Sequence, residues 1–172
     1  TTIAFYYLSV PSSRNHTGKN AYITSVFVEP DYRRQGIASE MVRRIVKQAH
    51  PATMMCAYNK VNGTFASQNE WLLTDVLRRD WGFDGAVMTD WGAMHDRVAS
   101  LKAGLDLEMP GDTPICRRWI LDGIADDTLP MEKLDAACEN ILQLIANYVE
   151  IVQPCEVDWE AHQQLAAEIA AD

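Results

Sequence analysis

Residues 82–92 read GFDGAVMTDWG, and the rest of the chain is interpreted outward from this stretch. Residues 86–88 are apolar and have the length of a buried parallel strand. Asp90 and Trp91 follow its C-terminal end, which is the edge where β/α folds place catalytic side chains. Spacing alone leaves two interpretations of Asp90 open: it is a nucleophile with an indole wall beside it, or it caps the next helix.

Apolar segments on both sides of this stretch predict an α/β fold with a parallel sheet. Residues 53–58 (TMMCAY) and 105–109 (LDLEM) have the length of short strands. Between the first of these and residue 86, Ser67 and Glu70 have the spacing of a capping box that begins a helix. The predicted apolar face of that helix comprises Trp71, Leu72, Val76 and Leu77. Residues 53–90 therefore form a β-loop-α-β unit.

Helical periodicity dominates the rest of the C-terminal part. We predict a helix over 93–104 that ends at Gly104, and further helices over 115–123, 130–152 and 162–171. The core-facing positions of the helix over 130–152 are Leu134, Ala137, Ile141, Leu144, Ile145 and Tyr148.

The N-terminal part has a different pattern. Residues 3–10 and 21–28 predict two antiparallel strands joined by the polar loop 11–20. A glycine turn at Gly36 then leads into a helix whose apolar positions include Ile37 and Met41. Free N–H groups at the start of this helix, a glycine and nearby arginines favour an anion such as a pyrophosphate.

Charge divides the chain at the same place. Residues 1–49 contain seven Lys/Arg and three Asp/Glu, whereas residues 50–172 contain eight Lys/Arg and 21 Asp/Glu. The acidic part is not typical of nucleic-acid binders, and the basic part suits phosphates. No apolar run has the length of a membrane span and no signal peptide is recognised, so the default expectation is a cytoplasmic location. The cysteine spacing favours reduced thiols over a zinc site, so no metal is expected.

Residues 22–46, YITSVFVEPDYRRQGIASEMVRRIV, resemble the acetyl-CoA-binding core of the GCN5-related N-acetyltransferases. The resemblance implies that the backbone from Val26 to Val28 meets the pantetheine arm of acetyl-CoA. It also implies a pyrophosphate loop, which comprises Arg33, Arg34, Gln35, Gly36, Ile37, Ala38 and Ser39.

Residues 50–172 resemble the second half of the barrel domain of glycoside hydrolase family 3. The motifs that carry the resemblance are MCAYNKVNG (55–63), WLLTDVLRRDWGFDGAVMTDWGA (71–93) and AGLDLEMPG (103–111). The resemblance implies a retaining glycosidase without a cofactor or catalytic metal, acting on a small sugar or glycoside. It assigns Asp90 as the nucleophile, Trp91 as a wall of the sugar subsite, and Tyr58 as a neighbour of the nucleophile.

We therefore expect a chimera of two fragments: an acetyltransferase-like β-β-α piece (1–49) and a late-barrel glycosidase piece (50–172). The latter supplies three late strands of a partial parallel β/α-barrel, and its open edge is covered by the hairpin 3–28 or by a second chain in a homodimer. In the family, the acid/base and the residues that hold the sugar lie in sequence outside this chain. The expected function is a β-glucosidase-like exo-glycosidase fragment that is not fully active alone. The alternatives are an acetyl-CoA-binding N-acetyltransferase module and a folded chimera with no native activity.

Overall fold

The computed structural model describes residues 4–9, 22–111 and 114–148. The first two strands, β1 (Ala4–Ser9) and β2 (Tyr22–Val28), pair antiparallel, with an irregularity between Tyr7 and Leu8. This pair confirms the predicted N-terminal hairpin, while its loop at 11–20 lies outside the described residues. The two strands form a sheet of their own in the part of the chain that the structure describes.

Helix α1 (Ile37–Ala49) follows β2 through a short 3-10 turn, Pro30–Tyr32. Its N-cap is Gly36, whose φ of +78° lies in the left-handed region that favours glycine. The helix ends before Pro51, as predicted, because proline cannot continue it. Val46 on α1 is only 2% exposed and belongs to the main apolar cluster of the late-barrel part. The predicted boundary after residue 49 coincides with the end of α1. However, α1 packs against the core formed by the residues that follow this boundary.

The centre of that core is a parallel pair, β3 (Thr53–Cys56) and β6 (Ala86–Thr89), whose register runs from Thr53 opposite Ala86 to Cys56 opposite Thr89. The chain between them forms a small hairpin, β4 (Lys60–Val61) and β5 (Thr64–Phe65), then a 3-10 turn, Ala66–Gln68, and a π-type helix, Trp71–Asp80. This arrangement confirms the predicted β-loop-α-β unit.

The start of the π-type helix differs from the prediction. The Asn69 side chain caps it, because its Oδ1 accepts a hydrogen bond from the Leu72 N–H (3.0 Å). Ser67 lies in the preceding 3-10 turn, is fully buried, and donates its hydroxyl to the Ala93 carbonyl (3.2 Å). The predicted apolar face is partly wrong as well, since Leu73 and Leu77 are buried while Trp71 is 52% exposed.

After β6, helix α2 (Arg97–Ala103) ends at Gly104, and the chain returns to the sheet. The predicted strand over 105–109 is reduced to one parallel bridge, between Leu107 and Met88. The N–H groups of Asp106 and Leu107 both donate to the Val87 carbonyl, so the ladder does not advance regularly. The described parallel sheet therefore has β6 at its centre, with β3 on one side and Leu107 on the other.

Two helices, α3 (Pro114–Ala125) and α4 (Met131–Tyr148), complete the described chain. They build a second apolar cluster around the buried Leu129 and Ala137. Of the core positions predicted on α4, Ala137 is buried but Ile145 is 47% exposed. The predicted helical residues 149–152 and 162–171 lie outside the described residues.

A buried charged group connects the sheet to the helices. The Asp106 side chain is 2% exposed and accepts hydrogen bonds from Arg78 (2.6 Å), the Val87 N–H (2.7 Å) and Asn140 (2.9 Å). Burial raises the pKa of Asp106, against the opposing effect of these three donors. One carboxylate thus joins the π-type helix, β6 and α4.

Candidate active site

Asp90 lies directly after β6, at the C-terminal edge of the parallel sheet. Its N–H donates to the Cys56 carbonyl (3.0 Å), which ties it to the end of β3. Its carboxylate accepts the N–H of Trp91 (2.6 Å). The next helix is capped by Asp96, whose Oδ1 accepts the Ala99 N–H (2.9 Å), so the interpretation of Asp90 as the cap of that helix is wrong. The structure leaves the Asp90 carboxylate half-buried at the sheet edge rather than at a helix start.

Tyr58 meets Asp90 and Trp91 at this edge. Its hydroxyl donates to the Trp91 carbonyl (2.9 Å), across 33 positions of sequence. The Asp90 carboxylate raises the pKa of Tyr58, chiefly by a hydrogen bond that holds the phenol proton and to a smaller extent by its negative charge. Tyr58 is 53% exposed and Trp91 66% exposed. An acid and two accessible aromatic rings therefore share one open surface, an arrangement suited to binding a sugar ring.

The β4–β5 hairpin contacts the loop that follows β6. The Phe65 ring stacks on His95 with a centroid distance of 3.5 Å and an interplanar angle of 23°. The Lys60 ammonium lies 4.6 Å from the centroid of the same ring. Sequence reasoning did not single out these three side chains. The signal that marks the hairpin is the pair Asn62-Gly63, whose φ values of +52° and +86° are typical of a tight hairpin turn.

Two other acids lie close to basic side chains. Glu108 forms a two-bonded ion pair with Arg97, one bond being 2.8 Å, and its side chain is 16% exposed. Glu70 lies 3.9 Å from Lys133.

The predicted pyrophosphate loop lies at the other end of the described chain, between β2 and α1. Arg34 and Gly36 both have positive φ, +62° and +78°. The Arg33 guanidinium donates back to the Val28 carbonyl (2.9 Å), and the Gln35 amide donates to the Asp31 carbonyl (3.4 Å).

The other predicted positions of this loop are mostly accessible. Ala38 and Ser39 are exposed on the first turn of α1, where Ile37 is half-buried. Val26 on β2 is 37% exposed. The loop thus presents an accessible helix start beside β2.

The two α1 arginines beyond the loop are engaged by an acid on their own helix. The Glu40 carboxylate accepts hydrogen bonds from Arg43 (2.7 Å) and Arg44 (2.8 Å). These bonds lower the pKa of Glu40 to about 2.

In the described ranges 4–9, 22–111 and 114–148, no helix has the length and apolar content needed to cross a membrane. Within the same ranges, no group of three or more His, Cys, Asp or Glu side chains is arranged to hold a metal ion. Two cysteines in the described ranges, Cys56 and Cys138, are free thiols. Burial raises the pKa of the Cys56 thiol to about 12, which is typical of a core cysteine.

Two family models match the chain. The model of the glycosyl hydrolase family 3 N terminal domain matches residues 42–144, and that of the acetyltransferase (GNAT) family matches residues 3–64. The two matches overlap at residues 42–64, which include the second half of α1 and all of β3.

Curated relatives agree with the longer match. The chain is 43% identical over 130 residues to an exo-alpha-(1->6)-L-arabinopyranosidase of Bifidobacterium longum, covering 74% of this chain and 17% of that protein. It is 44% identical over 128 residues to the thermostable beta-glucosidase B of Acetivibrio thermocellus, with the same coverage of 74% and 17%. The chain thus spans about a sixth of the length of these relatives, 17%.

Solved structures give the same result. The Bifidobacterium adolescentis GH3 beta-glucosidase superposes with a TM-score of 0.61 at 43% identity, covering 75% of this chain and 19% of that one. The beta-glucosidase 3B from Thermotoga neapolitana superposes with a TM-score of 0.59 at 42% identity, covering 62% and 16%.

Proposed function

Because this chain belongs to glycosyl hydrolase family 3, we propose that it is the nucleophile-bearing part of a retaining exo-glycosidase, with Asp90 as the nucleophile. The observation that carries the proposal is the position of Asp90 directly after β6, where its carboxylate bonds the Trp91 N–H and neighbours the accessible side chains of Tyr58 and Trp91. The substrate class follows from relatives named as β-glucosidases and arabinopyranosidases: a small glycoside with a terminal pyranose.

In the proposed reaction, the Asp90 carboxylate forms a bond to the anomeric carbon while the bond from that carbon to the leaving-group oxygen breaks. A protonated carboxylic acid donates its proton to the departing oxygen, and then accepts one from the water that hydrolyses the glycosyl-enzyme. The Trp91 N–H orients the Asp90 carboxylate, and the Tyr58 hydroxyl holds the Trp91 backbone in place. The Trp91 indole supplies a flat apolar surface for the sugar ring.

The second carboxyl group of a retaining glycosidase lies about 5 Å from the nucleophile. Glu108 and Glu70 are paired with Arg97 and Lys133, so we do not assign either of them to this role. We propose that the 172-residue chain alone retains the capacity to be glycosylated at Asp90 but turns over poorly, since general acid catalysis contributes roughly 10²–10⁴-fold.

The test is incubation with an activated 2-fluoro-glycoside, which does not depend strongly on the acid, followed by intact mass and peptide mapping. We expect one glycosyl adduct on Asp90. Asp90→Asn abolishes the adduct, whereas the matched control Asp96→Asn keeps it, because asparagine caps α2 as well as aspartate does. An unlabelled wild-type chain, or an adduct that persists in Asp90→Asn, contradicts the proposal.

A second candidate function rests on the GNAT match over residues 3–64 and on the positive-φ glycine turn at Gly36. We propose that residues 33–39 and the β2 backbone bind the diphosphate and pantetheine of acetyl-CoA. Titration calorimetry with acetyl-CoA tests this. Heat that disappears in Gly36→Val supports the site, and no heat at millimolar ligand excludes it. If both experiments fail, the third alternative stands: a folded chimera with no native activity.

We also propose that a second chain covers the outer edge of β3. The described strands β1 and β2 pair with each other and do not continue the β3–β6 sheet. Met55 on β3 is 55% exposed, and an uncovered strand edge is a template for pairing. Light scattering distinguishes the outcomes: a dimer mass supports the proposal, and a monomer mass across the accessible concentration range overturns it.

A further inference from the structure

The end of β6 departs from a regular parallel ladder at Thr89. The Leu107 N–H donates to the Val87 carbonyl (3.1 Å), and the Thr89 N–H donates to the Leu107 carbonyl (3.0 Å). In a parallel pair of strands these bonds repeat at even spacing, every two residues. Continued by one repeat, the Met109 N–H would donate to the Thr89 carbonyl, and the Trp91 N–H would donate to the Met109 carbonyl.

The structure has a different bond at each of these two places. The Met109 N–H donates to the side-chain hydroxyl of Thr89 (2.8 Å). The Met109 carbonyl accepts the N–H of Gly92 (2.8 Å), one residue beyond Trp91. Thr89 is fully buried, and its hydroxyl donates in turn to the Met109 carbonyl at the longer distance of 3.4 Å. The chain after β6 therefore carries one extra residue relative to its neighbour, as in a β-bulge, which re-aims the side chains beside it.

This one-residue offset decides which group the Trp91 N–H bonds. Because the Met109 carbonyl accepts the N–H of the next residue, the Trp91 N–H donates to the Asp90 carboxylate (2.6 Å). The φ of Gly92, +80°, lies in the left-handed region that favours glycine, which allows the chain to accommodate the extra residue. The carboxylate proposed as the nucleophile is thus held by an N–H group that a regular strand end would use in the ladder.

We propose that the Thr89 hydroxyl is a positioning group, which binds the Met109 N–H in place of the backbone carbonyl and so maintains the one-residue offset. The offset in turn leaves the Trp91 N–H to orient the Asp90 carboxylate. This inference deepens the proposed glycosidase function and rests on it for the role of Asp90 as the nucleophile. Thr89 is fully buried and acts through the backbone, not on the substrate. The role requires the hydroxyl of Thr89 but not its methyl group.

The first test needs no ligand. In an isotope-labelled chain, the Trp91 amide proton is followed by NMR as the pH is lowered through the range in which carboxyl groups protonate. We expect a wild-type resonance that shifts as Asp90 is protonated, and the loss of this shift in Asp90→Asn. Thr89→Val has nearly the same shape but lacks the hydroxyl, so the ladder becomes regular and the shift is lost. Thr89→Ser keeps the hydroxyl and therefore the shift.

The matched control is Thr74→Val, which removes the hydroxyl of a half-buried threonine at another site. That hydroxyl donates to the Ala103 carbonyl (2.8 Å), and its loss is expected to leave the Trp91 shift unchanged. If Thr89→Val does not fold, Gly92→Ala is measured in its place. Chain neighbours aside, a Cβ at Gly92 meets no described atom within 4 Å, so its cost is the positive φ alone. Alanine there disfavours the same offset, and the Trp91 shift is again expected to be lost.

The second test measures the reaction with the activated 2-fluoro-glycoside. Thr89→Val is expected to lower the maximal labelling rate of Asp90 about ten- to a hundredfold, because a misplacement on the order of 1 Å is enough for such a loss. Thr89→Ser and Thr74→Val are expected to stay within about threefold of wild type, since the offset is kept in both.

Several outcomes overturn the inference. They are a wild-type Trp91 resonance that does not respond to Asp90, a shift or a labelling rate that Thr89→Val leaves unchanged, and a loss in Thr89→Ser or Thr74→Val equal to that in Thr89→Val. If the wild-type chain is not labelled at Asp90, the proposed function fails, while the NMR titration still decides whether the Thr89 hydroxyl sets the offset.

Discussion

Replacement of Asp106 by alanine is expected to destabilise the fold more than any surface charge change. The substitution removes the acceptor of the Arg78 guanidinium, the Val87 N–H and the Asn140 amide from a site where the carboxylate is 2% exposed. Breaking a buried ion pair by deleting one partner costs about 3–5 kcal/mol. Arg78 is 21% exposed and is still bonded to the Gly85 and Gly104 carbonyls, so part of its charge stays compensated.

We therefore expect a loss of about 3–4 kcal/mol, near the lower end of that range, once the unpaired Val87 N–H is included. The loss corresponds to a drop in Tm of roughly 10 °C for a domain of this size. Urea denaturation followed by circular dichroism measures the free energy of unfolding. The control is Asp122→Ala, which breaks the ion pair between Arg118 and Asp122. Their side chains are 73% and 57% exposed, so this substitution is expected to cost less than about 1 kcal/mol.

The pH dependence gives an independent check on the same group. Because burial raises the pKa of Asp106, the folded protein holds this proton to higher pH than the unfolded chain does. The stability that the group contributes is therefore fully present below the unfolded pKa and declines as pH rises through the folded pKa. The difference in free energy of unfolding between wild type and Asp106→Ala is expected to narrow as pH rises from the unfolded to the folded pKa of Asp106, and then to level off. A cost of Asp106→Ala no larger than that of Asp122→Ala, or a difference that widens with rising pH, would refute this reasoning.

Four further predictions concern the packing of the core, helix α1 and the candidate active site. A Cβ on Gly85 would lie 2.3 Å from the Ala52 carbonyl oxygen, so Gly85→Ala is expected to cost at least about 3 kcal/mol in urea denaturation, or to prevent folding. Val46→Ala is expected to cost about 2 kcal/mol and to lower the melting temperature of a single transition. A separate transition of α1 at lower temperature would contradict a core shared by α1 and the residues that follow it. The pKa of Glu40 is lowered from 4.5 to about 2, so its contribution to stability is present above pH 4.5 and is lost as the pH falls towards 2. The melting temperature of Glu40→Gln, measured over the same pH range, is expected to lack this loss. Asp90→Asn is expected to lower the pKa of Tyr58 towards its ordinary value, measured as phenolate absorbance against Tyr58→Phe, and an unchanged value would mean that Asp90 does not face the hydroxyl in solution.

Local patterns predicted the elements whose causes are local. The hairpin, α1 with its glycine start and proline stop, and the β-loop-α-β unit around residues 53–90 all follow from periodicity and turn residues. The same reasoning failed where two residues competed for one role. Ser67 and Asn69 are both good cap residues, and the choice depended on the Ala93 carbonyl, which accepts the Ser67 hydroxyl.

The third strand shows a different limit. Residues 105–109 alternate as a strand should, yet only Leu107 pairs with β6. The Asp106 side chain accepts the Val87 N–H, which a regular ladder would pair with a backbone carbonyl, and it also accepts a hydrogen bond from Arg78. No pattern along the chain reports such competition between a side chain and a backbone.

By itself the sequence determined that an acid and an indole follow a buried strand, and that a glycine turn starts a helix between a basic and an acidic segment. These are properties of neighbours along the chain, set by side-chain spacing and backbone preference. Only the tertiary structure decided that Tyr58 reaches Trp91, that Phe65 stacks on His95, and that Val46 enters the late-barrel core. Those contacts join residues far apart in sequence, and they form only when burial of apolar surface has fixed the strands and helices that carry them.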